Sequence, residues 1–197
     1  MKTGISLIIL IIFLASCNFN KNQTSSSDDN DKDSVELQII VQQLYKWHDV
    51  TNKSQDFATT KKGESDSLYS GINWPVHELR VKEIKATGFF HNNFIETYQK
   101  MALNIDEELK RGKTTWLVGD LSPFGNDTNP WCNCQDNPDN YLDKIVIKDI
   151  KNNKGNVKFN WTWGDGFSYK AEAIKENEMW SISYLEGFDF KDYFNIN

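Results

Sequence analysis

The chain has only three histidines and three cysteines among 197 residues. His48, His77 and His91 lie in separate segments, and Cys132 and Cys134 have no histidine beside them. A structural zinc site needs four ligands of suitable type, so no metal and no cofactor are expected. Nucleophilic catalysis needs a nucleophile and a base within hydrogen-bond reach. No local arrangement supplies one, no catalytic residue is assigned, and a non-enzymatic protein is the leading expectation. Positive charge is also short: 22 Lys and Arg against 28 Asp and Glu leave a net charge of −6. An acidic surface attracts neither nucleic acid nor anionic lipid. A membrane-spanning run is missing too. The unbroken apolar stretch Leu7–Leu14 falls well below the roughly 20 residues a spanning helix needs.

That short run follows Met1-Lys2 and ends in Leu14-Ala15-Ser16-Cys17, the pattern of a secretory signal with small residues before its cleavage point. The quartet resembles the lipobox of bacterial lipoproteins. The resemblance implies cleavage before Cys17, a diacylglycerol thioether on its sulfur, and firm anchoring by several acyl chains. The membrane, reached through the lipid on Cys17, is then a partner, and the bacterial cell envelope, by default its outer membrane, is the location. Asn18–Asp33 is polar and acidic with almost nothing apolar beyond Phe19; it cannot bury enough surface to fold and reads as a tether. The expected organisation is a signal peptide over 1–16, a lipidated Cys and disordered tether over 17–33, and one α+β domain over 34–197.

Within that domain the clearest signal is Tyr141–Leu185. Val157, Phe159, Trp161 and Trp163 alternate with polar residues, as do Phe167, Tyr169, Ala171 and Ala173, then Trp180, Ile182 and Tyr184. Period-two alternation marks half-buried strands. Tyr141–Ile150 reads as a strand before them, Lys151–Gly155 and Gly164-Asp165-Gly166 as turns, and Lys175–Glu178 as a polar turn. Asp33-Ser34-Val35-Glu36 has the form of a capping box, which predicts a helix from there to about Val50. Thr51–Ser70 reads as an irregular loop, and Glu78–Lys85 fits neither period. The strongest helix is Phe89–Leu109, with Phe90, Phe94, Tyr98, Met101, Ala102, Ile105 and Leu109 on one stripe and Gly112 as its C-terminal stop. Gly119–Asn140 is long for a connection, and long ordered loops often carry function.

Helices followed by a bent antiparallel sheet resemble the α+β cone of nuclear transport factor 2-like proteins. Leu44-Tyr45-Lys46-Trp47, Gly88-Phe89-Phe90 with Asn93-Phe94-Ile95, and Asn129–Asp136 resemble a family of small secreted bacterial proteins with that fold and no assigned function. Members often carry Asp-Pro-Phe…Ala-Gln-Asp at the last position. Here Asn129, Trp131 and Cys134 depart from the pattern, while Pro130 and Gln135-Asp136 match it. The resemblance implies N-terminal helices packed on a curved sheet of four to five strands, and a cavity at the wide end of the cone. It also makes a homodimer through the sheet plausible by analogy.

The residues that would line such a cavity are Tyr45, Trp47, His48, Gln135, Asp136, Trp161 and Trp163. Asp136 can fix a turn through its carboxylate. In isomerases of this broad fold an Asp base works in an apolar pocket with a Tyr donor, a role Asp136 and Tyr45 would imitate. The Trp161 and Trp163 face can pack as core or line a pocket. Cys132 and Cys134 are either a disulfide or two packed thiols in an exposed loop. The expected function is a cell-envelope binding module for a small ligand or protein partner. An isomerase- or hydrolase-like enzyme and an immunity- or inhibitor-type protein are the alternatives.

Overall fold

A computed structural model describes residues 26–51, 56–120, 122–125, 128–164 and 166–194. The signal peptide expected over 1–16, Cys17 and Asp165 lie outside the described residues. The order is helix α1 (Ser26–Thr51), strands β1 (Thr59–Lys61) and β2 (Tyr69–Ile72), helices α2 (Trp74–Ala86) and α3 (Asn92–Lys110), strands β3 (Val146–Asn153), β4 (Asn156–Thr162), β5 (Tyr169–Glu176) and β6 (Met179–Leu185), and a short α4 (Phe190–Phe194). β3 to β6 form one antiparallel meander in sequence order, and β1 pairs with β2 in a separate small sheet. The chain is α+β, as expected.

The alternation in β4 and β5 places Val157, Phe159, Trp161, Tyr169, Ala171 and Ala173 in the core. α1 and α3 lie against that face, and the expected α3 stripe is buried from Phe94 to Leu109. Two irregularities bend the sheet, because an extra residue on one strand kinks it and increases its twist. In β3 the register slips between Lys148 and Lys151, where Asp149 takes a left-handed φ of 55°. In β6 the register passes from Glu172↔Tyr184 to Ala173↔Ile182, leaving Ser183 over. That extra residue reverses the inside–outside parity. Leu185 is buried and Tyr184 is not, contrary to the expectation that Tyr184 shares the face of Trp180 and Ile182.

Other expectations are corrected by tertiary contacts. α1 starts at Ser26 and not at the Asp33 capping box, so the tether expected over 17–33 is helix from Ser26 onward. Asp33 and Glu36 serve tertiary pairs instead. Asp33 accepts from Asn152 at 2.9 Å and pairs with Lys175 at 3.3 Å, and Glu36 accepts from Lys175 and from the Trp180 indole at 3.0 and 3.1 Å. Thr51–Ser70, read as a loop, contains β1 and the start of β2. The ambiguous Glu78–Lys85 belongs to α2, capped by the Asn73 side chain with Pro75 in its first turn, where a missing N–H costs nothing. Tyr141–Lys144 is a 3-10 turn and β3 starts after it. The free edge of β6 is covered by Phe89–His91: Ile182 N–H donates to the Phe89 carbonyl at 2.7 Å, and His91 N–H to the Ile182 carbonyl at 2.9 Å.

Candidate functional site

Five of the seven residues expected to line a cavity fall in two adjoining ring groups, Trp47 and His48 on Trp131 and Tyr45 and Trp163 on Trp161. The Trp131 ring contacts His48 at 4.5 Å and Trp47 at 6.2 Å between centroids. Tyr45 packs on Trp161 at 4.6 Å and donates its hydroxyl proton to the Trp131 carbonyl; burial pushes its pKa well up. Trp163 packs on Trp161 at 5.2 Å and stacks on Phe167 at 3.8 Å. Trp161 is 0% and Trp131 1% exposed. Tyr45, His48, Trp131 and Trp161 are thus buried core, with Trp47 and Trp163 half-buried against it. Gln135 and Asp136 are on the exposed loop, and among the described residues no hydrogen bond joins Asp136 to Tyr45. Cys132 and Cys134 are joined by a disulfide, their Cα atoms 5.1 Å apart. It closes the turn after Trp131, across which Asn129 N–H donates to the Cys134 carbonyl at 2.9 Å.

Beside this interior sits a charged cluster that sequence reading did not single out. Asp56 accepts from Arg80 Nε at 3.0 Å, the Tyr98 hydroxyl at 2.7 Å and Trp131 Nε1 at 2.6 Å. Arg80 is 1% exposed, lies over the Trp47 ring at 4.8 Å and donates to Glu83 at 3.2 Å. Burial disfavours its charge, but Asp56 more than offsets this and its pKa is raised. A signal was available: His77, Arg80, Val81 and Ile84 are the buried positions of α2, spaced i, i+3, i+4 and i+7. That is a helical stripe, half hidden because two of its members are basic.

His77 stacks on Tyr98 at 5.4 Å and on Phe57 at 6.2 Å. Burial lowers the pKa of both His77 and His48, and neither His48 Nε2 nor either His77 nitrogen has a hydrogen-bond partner among the described residues. The cluster therefore sets a pH dependence. As pH falls below about 6.5, histidines in the unfolded chain take up protons that the buried imidazoles resist. Stability should be full above that value and fall as pH drops through the lowered folded-state values. Denaturant melts from pH 7.5 to 5 are expected to show the loss (conditions chosen about the reference value of ~6.5). His77→Phe should keep the stack and flatten the profile; an unchanged slope in that variant would refute His77 as a source.

An open groove lies elsewhere. A groove of about 640 Å³ runs between α1, the segment joining α2 to α3, and the β5–β6 hairpin. Ile39, Ile40, Phe89, Phe90 and Trp180 form its apolar walls, with Met179, 71% exposed, at the hairpin tip. The tip is a tight two-residue turn with Asn177 and Glu178 both at left-handed φ. His91 caps α3: its Nδ1 accepts from Asn93 N–H at 3.1 Å, which leaves Nε2 as the donor, 3.6 Å from Glu176. Sequence reading found Trp180 and the Phe89–Phe90 pair but could not bring them together, since three distant segments build the groove. Its volume lies within the range of small-molecule sites, and an apolar lining with a few polar groups is what such sites share. No protein-family model, curated protein or solved structure matches the chain.

Proposed function

We propose that this protein is a cell-envelope lipoprotein, held by a lipid on Cys17, whose α+β domain is a nuclear transport factor 2-like cone that acts as a non-enzymatic binding module. Its ligand sits in the groove between α1 and the β5–β6 hairpin. The observation that carries this reading is the contrast between two apolar regions. The interior around Trp131 and Trp161 is closed, while the groove walled by Ile39, Phe89 and Trp180 is open. Apolar surface left unburied costs about 25 cal/mol per Å², and a concave stretch of it favours an occupant. The isomerase-like alternative needs Asp136 beside Tyr45, but Asp136 is exposed and the Tyr45 hydroxyl is engaged by Trp131.

Native mass spectrometry of the protein released gently from its own envelope tests the proposal. A retained small-mass adduct is expected, along with the added mass of a diacylglycerol on Cys17. Gln43, exposed on α1 at the groove wall, gives the control: Gln43→Trp should abolish the adduct without lowering the melting temperature. An adduct that survives this block would move the site elsewhere. A partner protein at fixed stoichiometry in place of an adduct would replace the small-ligand reading with an assembly or inhibitor role.

A further inference from the structure

Resting on that reading of the groove, the geometry points to its ligand class: we infer that the groove takes a small organic cation, an amine or guanidine carried on an apolar body. The charged residues lining it are Glu36, Glu176, Glu178 and the neutral-or-cationic His91, and no lysine or arginine is among the described lining residues. Glu36 is already engaged. Lys175 and the Trp180 indole hold its carboxylate, Lys32 stands 3.7 Å away, and the hydrogen bond from Lys175 lowers its pKa. Lys175 in turn pairs with Asp33 and Glu36 and lies over the Trp180 ring at 5.1 Å, so two carboxylates other than those of the hairpin tip already balance its charge.

Glu176 and Glu178 remain. The Glu176 side chain is 67% exposed, with His91 as its neighbour, and Glu178 is exposed at the turn. Two carboxylates thus stand at one end of an apolar trough with aromatic walls. Carboxylates favour a cation there, and so does the half-buried Phe89 ring, since an aromatic ring attracts positive charge through its quadrupole; the Trp180 ring already carries Lys175. An anionic ligand would meet like charge. A neutral one would fill the trough but leave the carboxylates unused. The groove's volume, about 640 Å³, is on the scale of a small-molecule site.

Three probes of one shape separate the possibilities: phenylbutylammonium, phenylbutanol and phenylbutyrate. Each is titrated into the full chain carrying Cys17→Ser, which prevents lipidation, and amide shifts at Phe89, Met179 and Ser181 report on the groove. The cation is expected to bind roughly five- to tenfold tighter than the alcohol, the scale of two exposed charge contacts, and the anion weakest. Added salt should shrink the difference. Glu176→Gln with Glu178→Gln should bring cation and alcohol to equal affinity while leaving the alcohol unchanged. If all three bind the groove alike, or the anion binds best, the charge inference fails and the groove stands. If none moves the groove amides, the groove reading falls and this inference with it.

Discussion

Gly187→Ala is expected to abolish stable folding, or to lower the melting temperature by about 6 °C or more. Gly187 follows β6 in a 3-10 turn, and a Cβ built on it would collide with the Pro130 carbonyl oxygen and sit 2.7 Å from the Asn133 side-chain oxygen. The first obstacle is backbone, so no rotamer change relieves it. The same Pro130 carbonyl accepts from the Tyr169 hydroxyl at 2.6 Å, and that hydroxyl accepts from Gly187 N–H at 3.0 Å. Tyr169 is fully buried, which raises its pKa well above the usual range. Moving Gly187 aside thus opens a buried knot joining the Trp131 loop, β5 and the turn after β6. Overpacking costs about 1–3 kcal/mol where side chains can yield, and more where they cannot. A cost of about 3 kcal/mol corresponds to roughly 6–12 °C for a chain of this size. Circular dichroism melts of parent and variant decide it; a melting temperature within about 2 °C of the parent would show that the close approach does not exist.

Asp56→Ala should cost about 3–5 kcal/mol, because it leaves a buried guanidinium without its main carboxylate. The Asp56 side chain is only 13% exposed and that of Arg80 1%. The variant also takes an acceptor from Trp131 Nε1 and from the Tyr98 hydroxyl. Arg80 keeps Glu83 at 3.2 Å, but that carboxylate is 47% exposed and a weaker counterion in solvent. Replacing both partners tests the explanation. Asp56→Ala with Arg80→Met should recover much of the loss, since a buried ion pair exchanged for apolar volume is often neutral. Urea unfolding of the two single variants and the double one gives the coupling. Additive losses would mean that the two residues act independently.

Much of the architecture was legible because it depends on local periodicity. The alternation Val157–Trp161 and the stripe Phe94–Leu109 each specify an element and its buried face without reference to the rest of the chain. The errors arose where a distant contact decided. Asp33-Ser34-Val35-Glu36 has the chemistry of a helix start, but its two carboxylates are claimed by Lys175, Asn152 and Trp180, more than a hundred residues away. Tyr184 was placed inward because a bulge at Ser183 has no composition signal. Among the residues expected to line a cavity, Tyr45, His48 and Trp161 are buried and Trp47 and Trp163 half-buried. The ring packed on Trp47 and His48 is Trp131, which lies in a polar loop and reads there as one aromatic among turn formers. Asp56 was invisible for a similar reason: only the partners that α2 and α3 bring to it distinguish it from any surface aspartate.

The carboxylates about two turns into α1 also bear on how the domain carries load. Asp33 and Glu36 bind the helix to Asn152 beside one hairpin tip and to Lys175 on the other hairpin. A pull arriving through the residues before Ser26 therefore meets several cross-braces at once, on two separate hairpins. Tension is divided between them before the part of α1 beyond Asp33 can peel from the sheet, so the helix acts as a mooring post tied to the deck at two points.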